Sequence, residues 1–69
     1  MSAVEQLKRV ARMLKHGDLG IAEAEECMDK IIAEETVYSG EPDALDAYIE
    51  KVRHLKRKKY YLLLDATRR

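Results

Sequence analysis

The side chains best able to do covalent or metal chemistry in this chain are one thiol, Cys27, two imidazoles, His16 and His54, and a set of thirteen carboxylates. Cys27 is expected on the apolar side of its helix, where a thiol serves as a small core filler. His16 falls at a helix end and His54 on the polar side of another helix. Neither stands at a spacing that implies a catalytic dyad, and with Cys27 they fit no zinc-binding pattern. Gly17-Asp18-Leu19-Gly20 lacks the further glycine, or the Lys-Ser/Thr pair, of a phosphate-cradling loop. The carboxylates are many, but unpaired surface acids are not general acid–base machinery. These types and spacings predict no enzyme, no cofactor and no metal.

What remains is recognition, and the charge order points to where it resides. Residues 1–15 carry a net +3, residues 16–46 a net −9 and residues 47–69 a net +6, which cancel to zero. No overall field draws the chain toward nucleic acid or membrane, so local faces must recognise whatever is recognised. Arg53, Arg57, Tyr61, Leu64 and Arg68 step by four, four, three and four, which places them on one helical stripe. Arginine and tyrosine combine large contact area with directed hydrogen bonds and are typical anchors of protein interfaces. Lys8, Arg12 and Lys15 form a second basic patch, on the polar side of the first helix.

Three helices position these faces. The first is expected from about Ala3 to Lys15, because Val4, Leu7, Ala11 and Leu14 share one side, and His16-Gly17 ends it. The second is expected over about 20–35, capped by Asp18 or Gly20, with Ile21, Ala24, Met28 and Ile31 as its apolar stripe and acidic residues near its start favouring the helix dipole. Tyr38 to Glu41 breaks the chain again, and Pro42 suits the first turn of a third helix over about 42–66. Leu45, Tyr48, Val52, Leu55, Lys59, Leu62 and Ala66 set its rhythm. Lys59 interrupts that stripe and is expected to pair with Glu35, which intrudes similarly on the second helix.

The fold class is therefore all-α: a single domain over 1–69, with two short helices and one long C-terminal helix. The third helix, at roughly 25 residues, spans about 37 Å. Two short helices leave part of its apolar face uncovered. A 69-residue chain is also marginal as a lone core, and one cysteine excludes an internal disulfide. A homodimer is the expected remedy.

Met1 to Leu14 is amphipathic rather than a continuous apolar leader, and the longest apolar run, Tyr60 to Leu64, is far short of the ~20 residues that span a bilayer. A cytoplasmic location with no membrane partner is expected, in keeping with a free thiol. In size and lack of chemistry the chain resembles the small regulators, adaptors and inhibitors that bacteria and their phages encode. That analogy implies a host or cognate protein as target, such as a transcriptional regulator, an enzyme or a motor ATPase. The alternative is a nucleic-acid-binding dimer using the basic faces of the first and third helices, since Lys56 to Lys59 with Tyr60-Tyr61 also suits phosphates and bases. A third reading makes the acidic second helix a DNA mimic.

Overall fold

The computed structural model describes residues 1–68. They form three α-helices and no strand: α1 (Ala3–Lys15), α2 (Ile21–Glu35) and α3 (Leu45–Thr67), the last entered through a 3-10 turn at Pro42–Ala44. Local chemistry accounts for each boundary. The Glu5 N–H donates to Ser2 Oγ at 3.2 Å, so Ser2 caps α1, while Arg12 and Lys15 sit in its last turn against the negative end of the dipole. Gly17 adopts φ +83°. It lets the Gly17 N–H reach the Leu14 carbonyl at 3.1 Å and the Asp18 N–H reach the Met13 carbonyl at 2.9 Å. That double closure is a Schellman motif, and it turns the chain sharply into α2.

The far end of α2 closes differently. No glycine stands there. Instead the Thr36 hydroxyl donates to the Ile32 carbonyl at 2.6 Å, and Thr36 is itself buried. The following loop is braced by Tyr38, whose hydroxyl donates to the Glu41 carbonyl at 3.0 Å and whose ring lies 5.2 Å from that of Tyr48.

The core is one cluster: Ala3, Leu7, Val10 and Ala11 from α1, Ala24, Met28 and Ile32 from α2, and Leu55 from α3. Leu7 and Met28 are its largest fully buried side chains. α1 packs on both other helices, whereas α2 and α3 meet along a slimmer seam. Small residues on α1 (Ala3 and Ala11) and on α2 (Ala24) let the backbones approach. From α3 the packing partners are Leu62, Leu63 and Ala66 beside Leu55. The core thus engages the C-terminal half of α3, and Leu45 and Ile49 at its other end are each 41% exposed. The chain is accordingly elongated, 43 × 20 × 17 Å.

Four expectations are corrected. Cys27 is exposed rather than a core filler: Ala24, Met28 and Ile32 define an arc of about 80°, and Cys27 lies some 60° outside it at 100° per residue. Ile21 shares that arc but is 58% exposed, because it stands in the first turn, at the margin of the packed region. Leu45, likewise at the first turn of its helix, is exposed rather than in the core stripe. Lys59 does not pair with Glu35, whose carboxylate instead meets Lys51 at 3.4 Å.

Truncating Met28 to Ala is expected to cost about 2–4 kcal/mol, the usual range for a fully buried side chain. That is most of the stability a chain of this size has, so the variant should lose much of its helical circular dichroism at room temperature. Cys27→Ser should shift the urea midpoint hardly at all, within about 0.5 kcal/mol.

Candidate functional site

The basic–aromatic stripe lies on the exposed side of α3. Arg53, Arg57, Tyr61, Leu64 and Arg68 are all exposed and share an arc of about 80° at 100° per residue. Tyr61 is 60% exposed and its neighbour Tyr60 62%. Their rings stand edge-to-face, with centroids 5.7 Å apart. That contact fixes two large amphipathic side chains on a rigid helix without burying either. Towards the end of α3 the Thr67 hydroxyl donates to the Leu63 carbonyl at 2.8 Å, holding the last turn that carries Arg68. Glu50, Arg53, His54 and Arg57 line a shallow depression of about 170 Å³ one step back along the same helix.

Lys8, Arg12 and Lys15 are exposed on α1, opposite its buried arc. With Met1, Glu5 and Arg9, Lys8 and Arg12 border an open hollow of about 310 Å³. Among the described residues no hydrogen bond or ion pair joins this patch to the α3 stripe, so the two basic surfaces stand on separate helices.

Two features escaped the sequence reading. Lys59 leaves the core stripe at an angle that carries its ammonium across to α2, where it donates to Asp29 Oδ1 at 2.6 Å and approaches Glu25 Oε1 at 3.4 Å. Its side chain is only 16% exposed, while both carboxylates remain more than half exposed. Glu25 and Asp29 are four residues apart, hence on one face of α2 beside the buried Met28, and that spacing was the available signal. Partial burial pulls the Lys59 pKa down. The hydrogen bonds and charges of Asp29 and Glu25 outweigh it, so the ammonium lies above its ordinary 10.5. The same three side chains, with Lys56, Tyr60 and Leu63, line a cleft of about 440 Å³ between α2 and α3.

The second missed feature is apolar. Tyr48, Ile49, Val52, Arg53 and Lys56 line an open groove of about 310 Å³ on the uncovered half of α3. Its signal was Ile49, four residues after Leu45 and three before Val52, a second stripe alongside the core one.

Among the described residues no three His, Cys, Asp or Glu side chains converge as metal ligands, and no helix is long and apolar enough to cross a membrane. The chain matches no protein-family model, no curated protein and no solved structure.

A lysine held above its ordinary pKa stabilises the fold below about 10.5 and loses that contribution as pH rises through the folded value. Asp29→Asn should therefore lower the melting temperature at neutral pH, by the equivalent of about 1 kcal/mol or less given the exposed carboxylates. It should also narrow the gap to the parent chain as melts are taken into strongly alkaline buffer. A gap constant across that range would mean the pair contributes nothing through charge.

Proposed function

We propose that this chain is a small non-enzymatic regulator, inhibitor or adaptor that works as a homodimer and sequesters another protein. The partner of this reading is a host or cognate protein, of the kind exemplified by a transcriptional regulator, an enzyme or a motor ATPase. The observation that carries it is the pair Tyr61 and Leu64, exposed side by side among arginines on a helix held in place from behind. Single exposed apolar residues mean little. A tyrosine and a leucine one turn apart, ringed by Arg57 and Arg68, have the composition of an interface centre: large apolar contact inside, guanidinium forks around it. The contact set is Arg53, Arg57, Tyr61, Leu64 and Arg68, with Lys8, Arg12 and Lys15 as a second patch.

Nucleic acid is the competing ligand, since Tyr60 and Tyr61 present π-faces beside Lys56 and Arg57. The cleft next to Tyr60 weighs against it, because Glu25 and Asp29 line it from α2, across from Lys56 and Tyr60 on α3, and would repel a phosphate track running past the tyrosines. A protein surface, which carries both signs of charge, meets no such penalty.

Affinity capture from nuclease-treated lysate of the source or host cell should recover a stoichiometric protein. Tyr61→Ala combined with Arg68→Glu should abolish that capture and leave helical circular dichroism unchanged. Undiminished capture by the double variant would remove the site from α3. No protein partner, with nucleic acid recovered when nuclease is omitted and affinity falling steeply as salt rises, would replace the protein-binding reading with the nucleic-acid one.

A further inference from the structure

The uncovered half of α3 carries an apolar stripe distinct from the stripe assigned above to the outside partner. Leu45, Ile49, Val52 and Lys56 step by four, three and four, the spacing of a helix–helix seam. Leu45 and Ile49 are each 41% exposed, and Val52 is half-buried but outside the packed core. The stripe lies some 120° around α3 from Tyr61 and Leu64 at 100° per residue. Nothing else in the described chain covers it.

Its flank is charged in a telling order. Asp46 and Glu50 come first along the helix, Arg53 and Arg57 second, all on the one side of the stripe that faces away from α1 and α2. None of the four makes an ion pair within the described residues. Set parallel against a second copy, two-fold symmetry would carry the two flanks to opposite sides of the pair, where neither meets a complement. Set antiparallel, the flank complements itself.

We propose that α3 pairs antiparallel with α3 of a second copy through Leu45, Ile49 and Val52, with Asp46 of each chain lying between Arg53 and Arg57 of the other. This rests on the homodimer reading above and gives it a seam and a register. The two-fold axis passes between residues 50 and 51. Ile49 then faces Val52 of the other copy, and Leu45 lies along the methylenes of Lys56, whose ammonium reaches water. The same register that stacks the apolar layers also centres Asp46 between the two arginines. Two independent patterns, apolar and ionic, thus select one alignment. Arg53 and Arg57 become part of the seam's rim, leaving Tyr61, Leu64 and Arg68 facing outward for the foreign partner, once on each copy.

The test uses the full chain in a Cys27→Ser background, with Asp46→Cys in one preparation and Arg57→Cys in another, treated with a short bismaleimide. At about 1.5 Å per residue, the antiparallel register offsets positions 46 and 57 of opposite copies by roughly 3 Å along the axis. It separates 46 from 46 by about 14 Å and 57 from 57 by about 20 Å. Mixed chains should cross-link and neither preparation alone should do so. Ile49→Asp, at an exposed position, should keep its helicity and weaken self-association by roughly tenfold or more. Cross-linking of either preparation with itself would overturn the antiparallel register. A wild-type mass of twice the 8.0 kDa chain without a mixed cross-link, or with Ile49→Asp fully dimeric, would move the seam off this face while sparing the homodimer. A wild-type mass of 8.0 kDa at every concentration tested would end both.

Discussion

A mismatch in helix length governs this molecule. α1 and α2 have 13 and 15 residues, α3 has 23, and the shorter pair can cover only part of the longer helix. Everything that is buried gathers where α1 crosses both partners, around Leu7 and Met28. A run of uncovered apolar surface is left towards the start of α3, at Leu45 and Ile49. A chain with one cysteine has no covalent means of tightening so small a core, so its stability depends on how fully α1 fills the angle between the other two helices. The alanines at Ala3, Ala11 and Ala24 serve that purpose: they exchange side-chain volume for close backbone approach.

Charge order supports the same arrangement. The acidic middle of the chain folds back between two basic ends, so α2 meets α3 with opposite sign. The contact is concentrated in one lysine that bridges two carboxylates. Lys59 sits where a leucine would have extended the core stripe, and it makes the α2–α3 boundary a polar clasp rather than a continuation of the core. Such a pair adds little net stability over an apolar substitute. It penalises slippage of one helix past the other, since a shift of one turn would separate the ammonium from both acids. Lys51 with Glu35 repeats the theme more weakly at the surface.

The helical architecture was legible because its punctuation is local. Gly17, Gly20 and Pro42 each act on the backbone within a turn of where they stand, and the observed ends of α1, α2 and α3 fall at or near the expected ones. The exposure of Arg53, Arg57, Tyr61, Leu64 and Arg68 was legible too, because a single helix fixes which residues share a side. What could not be read was how wide each buried arc is and which long side chains meet across helices. Cys27 and Ile21 look apolar-facing at the resolution of a stripe, yet the arc that α1 covers is too narrow, or too short, to reach them. Lys59 was recognised as an intruder but given the wrong partner. Glu35 lies near the end of α2, level with Lys51, whereas Asp29 and Glu25 lie level with Lys59, and that alignment is a property of the crossing rather than of either sequence. The groove at Ile49 was masked for the same reason: two neighbouring stripes on α3 are equally apolar, and only packing decides which is used.

The way α1 is packed bears on how the molecule comes into being. Its core face is shared between α2, which follows directly, and residues 55–66 of α3, which are made more than forty positions later. Covering that second half closes a loop of about forty residues, which costs more chain entropy than joining α1 to α2 across the turn at Gly17. Half of the core face of α1 is thus closed by a near neighbour in sequence and half by a distant one, and the α1–α2 hairpin on its own would leave Leu7 and Met28 bare beside the carboxylates of α2.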